Sequence, residues 1–188
     1  MPTCPCGSPA APFQAEIQQS KEPNVRRRRG IIGFSLLGMA SMAAVTLLQT
    51  GLVKHLPDPP VDGFDSDRVN SSETAFSLGA PDGTLSLAAL AMNVPLAAFG
   101  GENRAEKMPL VPIVAAAKAG VEAAAAGWYF YQMPTKEKAW CPYCIAGAVA
   151  NAAIFALSIP EALKAISSLR RKGNSTRETP KPAFPILR

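Results

Sequence analysis

Histidine occurs once, as His55, and cysteine only as two close pairs, Cys4 with Cys6 and Cys141 with Cys144, at opposite ends of the 188-residue chain. A zinc centre would need those pairs to meet, so no metal is expected. Aromatic residues are only 7% of the sequence and do not interleave with the basic ones, so the net charge of +5 lacks the stacking partners of a nucleic-acid surface. No nucleic-acid partner is expected. No fixed-period repeat is present either, which leaves one domain as the default. What fills the chain instead is apolar residues, 48% of the total, gathered into long Ala-, Leu-, Val- and Gly-rich runs. That clustering points to a membrane protein.

Residues 1–29 are rich in Pro, Gln and Ala, show no helical or strand period and end in "RRRR"; a flexible tail is expected there. From Gly30 the run "GIIGFSLLGMASMAAVTLLQTGLV" carries no charge before Lys54, and a helix of that length spans roughly 36 Å, enough to cross a bilayer. A cleaved signal ending near Ala43 is the competing reading, but the run exceeds the about 7–15 apolar residues of such signals, so a retained helix is expected. Three further apolar runs complete a set at about 30–53, 84–100, 108–133 and 142–163. The expected fold class is therefore all-α: an integral membrane bundle of four transmembrane helices within residues 30–165, whose small residues allow close packing. A long, acidic, Pro-containing outer loop joins helices one and two, and residues 166–188 are expected to form a second flexible tail.

Four crossings put both termini on one side, which collects most of the 19 Lys and Arg residues. The other side has only Lys54, Arg68, Lys136 and Lys138, so both termini are expected in the cytoplasm of a multi-pass cell-membrane protein. Trp128, Tyr129, Tyr131 and Trp140 then mark the outer interface as an aromatic belt.

The stretch "KEKAWCPYCIAGAVAN" places Cys141 and Cys144 at the start of the fourth helix, on that outer, oxidising side. A Cys-x-x-Cys pair there brings both sulfurs within reach of one disulfide, and the helix N-terminus favours the thiolate of the first. Pro142 suits the first helical turn. Cys141 is expected to be the exposed, exchanging thiol and Cys144 its buried partner. Cysteines in apolar helices are often only small hydrophobes, but the spacing and setting favour a redox pair as the catalytic site.

The four helices, the long first loop "FDSDRVNSSETAFSLGAPDGTLSL" and "WCPYCIAGAVAN" opening the fourth helix resemble the vitamin K epoxide reductase family over roughly residues 31–165. The resemblance implies that reduced protein thiols, often on a thioredoxin-fold partner, pass electrons to the pair and on to a membrane quinone. Cys141 would form the mixed disulfide and Cys144 would face the quinone. The chain departs from the family pattern where a second cysteine pair is usual in the first loop: Ser71 and Ser72 stand about where the later of those cysteines would fall. Serine relays no disulfide, so either a partner reaches Cys141 directly or the redox role is modified. Ala148 replaces the family's tyrosine four residues after the second cysteine, while Asn151 keeps a polar group on the same helix.

Lys118 and Glu122, spaced i and i+4 in the middle of the third helix, are expected to share one inward face as a proton route, as the polar end of a quinone pocket, or as a structural ion pair. Asn93, two residues before Pro95 in the second helix, is a further candidate for contact with a quinone carbonyl, as is Asn151. The competing function is a non-catalytic membrane interaction protein that keeps the bundle and has lost the electron relay.

Overall fold

Glu22 and Pro23 set where the first long helix begins. The Glu22 carboxylate accepts from the Asn24 N–H at 3.4 Å, and Pro23 occupies the first helical position, where its missing N–H costs nothing. The computed structural model describes residues 11–175, and among these the chain is helical with no strand. A short helix α1 (Ala11–Gln19) precedes α2 (Pro23–Gln49). The connection after α2 contains the five-residue α3 (Ser66–Asn70) and a 3-10 turn at Thr74–Phe76. Then come α4 (Asp82–Ala98), the single turn α5 (Arg104–Lys107), α6 (Leu110–Gln132) with a π turn at Met133–Glu137, and α7 (Pro142–Ser175).

Two boundaries differ from the sequence expectation, for the same reason. Residues 11–29, read as unstructured, hold α1 and the first turns of α2, and α7 runs to Ser175 rather than ending near 163. In both places, polar side chains find partners that a period of apolar residues cannot report. Arg29 donates to the carbonyls of Ile17 (2.7 Å) and Gln18 (3.1 Å), and Glu16 accepts from the Glu102 N–H at 2.7 Å, which docks α1. At the other terminus Ser168 Oγ reaches the Ala105 carbonyl at 3.0 Å, and Lys164 lies 3.3 Å from the Glu106 carboxylate. Cys4 and Cys6 lie outside the described residues.

α2 packs along both α4 and α7, α6 packs on α7, and α4 touches α6 only sparsely. Close approach depends on small residues, since apolar side chains gain no hydrophobic driving force between helices in lipid. A Cβ on Gly38 would stand 3.0 Å from Leu90 Cδ1 and 3.1 Å from Ala150 Cβ, so α2, α4 and α7 meet at that one hydrogen. Leu90, Val45 and Ile154 fill the centre, each almost fully buried. Outward-facing Leu36, Leu37, Val121 and Leu163 leave an apolar exterior. Three helical stretches, Pro23–Gln49, Leu110–Glu137 and Pro142–Lys172, are long and apolar enough to cross a membrane. α4, with 17 residues, is about 25 Å long.

The two ends of the bundle are pinned differently. At one, Arg28, Arg104 and Glu161 form a buried cluster, with Arg104 Nε and Nη2 on the two Glu161 oxygens at 2.8 and 2.7 Å. At the other, the α2–α4 connection is fastened to the segment before α7. Trp140 donates its N–H to the Gly63 carbonyl at 2.8 Å and accepts from Asp65 N–H at 3.0 Å. That fastening lays α3 across the start of α7.

Candidate functional site

Cys141 is the N-cap of α7. Its carbonyl accepts the first helical bond from Ile145 N–H at 3.0 Å, and its sulfur accepts the Cys144 N–H at 3.2 Å, as capping side chains do. Cys144 sits one turn in, and the two free sulfurs are 2.7 Å apart. They can therefore close to a disulfide with little movement.

Exposure runs opposite to the sequence expectation. Cys141 is fully buried, whereas Cys144 is part-exposed. The physical reason is α3: Val69, with Met133 and Ala139, covers the first sulfur, while the second points between the helices. Asn70, absent from the sequence candidates, bonds to both sulfurs. The Cys141 thiol is lowered to about 7 by the hydrogen bond from Cys144, against the cost of burial, with Asn70, the Cys144 N–H and Ser66 adding to it.

Cys144 lines a cavity of about 220 Å³ in the sparse α4–α6 contact. Its walls are mostly apolar, with Met42 and Tyr129 among them, and its polar groups include Asp82, Glu122 and Asn151. Of the sequence candidates, Glu122 and Asn151 thus share a space with Cys144. Asn151 donates to the Gly147 carbonyl of its own helix at 3.0 Å. Lys118 does not line the cavity; its ammonium pairs with Glu122 and donates to Asn93 Oδ1 at 3.0 Å and the Ala89 carbonyl at 2.8 Å. Asn93 Nδ2 closes the triad on the other Glu122 oxygen at 2.9 Å. Asn93 itself faces a small void of about 10 Å³ on the side of Arg104 and Glu161. Ala148, where the resembled family carries tyrosine, lines the cavity, and Tyr129 brings a phenol to it from α6. Ser72 donates to the Val69 carbonyl at 2.8 Å and so shapes the end of α3. Trp140 leans on Phe130, ring centroids 5.4 Å apart, while Trp128 and Tyr131 are exposed.

His55 braces α3 from outside. Its Nδ1 lies 2.5 Å from Asp67 Oδ2, and Asp67 Oδ1 accepts the Leu56 N–H at 2.9 Å. The hydrogen bond to Asp67 raises the His55 pKa above 6.5. A raised histidine stabilises the folded contact when protonated, so its hold on α3 is full at acidic pH and fades as pH rises through that raised value. Amide protection over residues 66–70, with the intrinsic base-catalysed rise in exchange divided out, is expected to fall across this range in the native chain. In His55→Ala the step should vanish, leaving the uniformly faster exchange; a step that persists would assign it to another group.

Among the described residues, no group of three or more His, Cys, Asp or Glu side chains is placed to hold a metal ion. A model of the vitamin K epoxide reductase family matches residues 30–159, more than half of the chain. Neither the curated proteins nor the solved structures include a match.

Proposed function

Since the chain belongs to the vitamin K epoxide reductase family, which points to thiol–quinone chemistry in a membrane, we propose that Cys141 and Cys144 carry electrons from protein thiols to a membrane quinone. The observation that carries this reading is Cys144, whose sulfur is 2.7 Å from Cys141 and lines the 220 Å³ cavity between α4 and α6. A quinone head group requires flat apolar walls with a few polar groups at its oxygens, and this lining fits that chemistry.

The steps balance as follows. A reduced substrate thiolate attacks Cys141 of the disulfide form, making a mixed disulfide and releasing Cys144 as the thiolate. A second substrate thiol displaces Cys141, so the substrate leaves oxidised and the pair is left as a dithiol. The quinone, when bound, accepts the two electrons and two protons that restore the disulfide. Glu122 and Asn151, which line the same cavity, orient the head group, with Lys118 and Asn93 holding the Glu122 carboxylate in position. Access to Cys141 requires α3 to move aside, because no loop cysteine relays electrons inward. A thioredoxin-fold thiol protein on the CPYC side of the membrane is the partner that suits this step. α4 serves as the fourth crossing, its shortfall against a roughly 30 Å core met by local thinning, and both termini face the cytoplasm by charge.

The test is direct. The purified full chain, with dithiothreitol as donor, is expected to reduce a short-tailed quinone with one quinone consumed per disulfide made. A Cys141–Cys144 pair that cannot be reversibly reduced would instead support a non-catalytic interaction protein.

A further inference from the structure

The α2–α4 connection carries no cysteine, yet it delivers one side chain to both sulfurs. Asn70 is 2% exposed at the end of α3. Its Nδ2 donates to Cys141 Sγ at 3.3 Å, and its Oδ1 accepts from Cys144 Sγ at 3.3 Å. Nδ2 also donates to the Ser66 carbonyl at 2.7 Å; a carbonyl can only accept, so the amide cannot be turned the other way round. We propose that Asn70 is the positioning residue of the dithiol: its N–H stabilises negative charge on Cys141 while its carbonyl shares the single S–H of Cys144 with Cys141, giving the two sulfurs their unequal roles. This rests on the reading of the pair as a redox centre.

The placement is built rather than incidental. Ser66 is tied to Asp58 through its N–H at 2.8 Å and its hydroxyl at 2.5 Å, and Asp65 caps α3 through the Arg68 N–H at 2.9 Å. Gln49 on α2 holds the Asn70 carbonyl at 3.2 Å. These bonds fix the carboxamide before any chemistry occurs, so little order has to be imposed during reaction.

Charge around the pair makes the neutral donor matter. Asp82 at the start of α4 acts on Cys144, Tyr143 of α7 feels Cys141, and Asp58 holds Ser66 beside the pair, while Asp65 and Asp67 add further acids to α3 and its cap. Of the nearby cations, His55 is tied to Asp67, and Lys136 meets Glu137 at Thr74 Oγ1. Acids oppose a thiolate, so its stabilisation falls to uncharged donors: the Cys144 S–H, the N-terminus of α7 and the Asn70 amide.

The experiment follows thiolate absorbance against pH in the fully reduced, full-length protein carrying Cys4→Ser and Cys6→Ser. Asn70→Ala is expected to move the Cys141 midpoint up by about one pH unit, which cuts the thiolate present at pH 7 about fivefold. Asn70→Asp keeps the shape and exchanges the donor for a charged acceptor, and is expected to move it further. Arg68→Ala, exposed on the same helix, is expected to leave it in place. An unmoved midpoint in both Asn70 variants overturns the assignment. Quinone turnover on the same samples separates the two claims. A shifted midpoint without turnover upholds Asn70 and removes the quinone, whereas turnover with an unshifted midpoint does the reverse.

Discussion

Cys144→Ser is expected to give a protein that folds normally, reduces no quinone above the uncatalysed background and accumulates a mixed disulfide on Cys141. The substitution is close to isosteric, and the serine hydroxyl can still donate toward Cys141 across the short gap that now separates the sulfurs. Packing around Met133 and Ala139 therefore has no reason to change. What disappears is, among the described residues, the only sulfur that both bonds to Cys141 and faces the cavity, so no two-electron store remains beside the acceptor. When the Cys141 thiolate attacks the disulfide form of a thiol substrate, one substrate thiol leaves and the mixed disulfide that remains has no internal thiol to resolve it. Non-reducing mass spectrometry of the membrane protein reads the adduct, and quinone absorbance reads turnover. Retained turnover would show that electrons bypass Cys144 and would sink the proposed route.

The same pair marks what could be read from the chain and what could not. "CPYC" at the start of an apolar run announces a capped helix, since Cys-x-x-Cys spacing and Pro142 are local signals. The four apolar runs likewise announce the bundle helices. Exposure of the two thiols is not local: it depends on α3, which Trp140 and Gly63 fasten over Cys141 through backbone bonds that no side-chain pattern encodes. Asn70 was missed for that reason. It meets Cys141 across 71 residues of sequence, and an Asn beside two Ser residues reads as ordinary loop chemistry. Lys118 and Glu122 were found because their spacing is helical, but the partner that completes the triad, Asn93, lies on another helix. The early start of α2 was hidden because arginines next to an apolar run look like a topogenic flank. The carbonyls of Gly100 and Gly101, which accept from Arg28 at 2.9 and 3.1 Å, and the carboxylate of Glu161 give one of them a reason to be inside.

That buried arginine sets up the largest stability effect. Arg28, Arg104 and Glu161 have side chains only 3%, 2% and 4% exposed, so two guanidinium charges share one carboxylate. Arg28 Nε has no hydrogen-bond partner and reaches Glu161 only at 3.8 Å, which makes the cluster dependent on that carboxylate for charge balance. Glu161→Gln keeps the volume and one acceptor while removing the carboxylate that both cations contact, with Glu16 and Glu102 acting on Arg28 less strongly. The expected cost is about 3–5 kcal/mol, as when one partner of a buried ion pair is removed. Against a total stability of roughly 5–15 kcal/mol, that should sharply lower membrane levels and the denaturant midpoint. Arg28→Met removes the surplus cation and should cost less, because the Gly100 and Gly101 carbonyls it releases are only part-buried and can turn to water. If Glu161→Gln unfolds at the same denaturant concentration as the native chain, or Arg28→Met proves the more damaging change, charge balance is not what holds this end together. Because the cluster lies at the opposite end of the bundle from Cys141 and Cys144, the folded fraction of either variant should keep its turnover per molecule. Loss of activity should therefore track loss of protein.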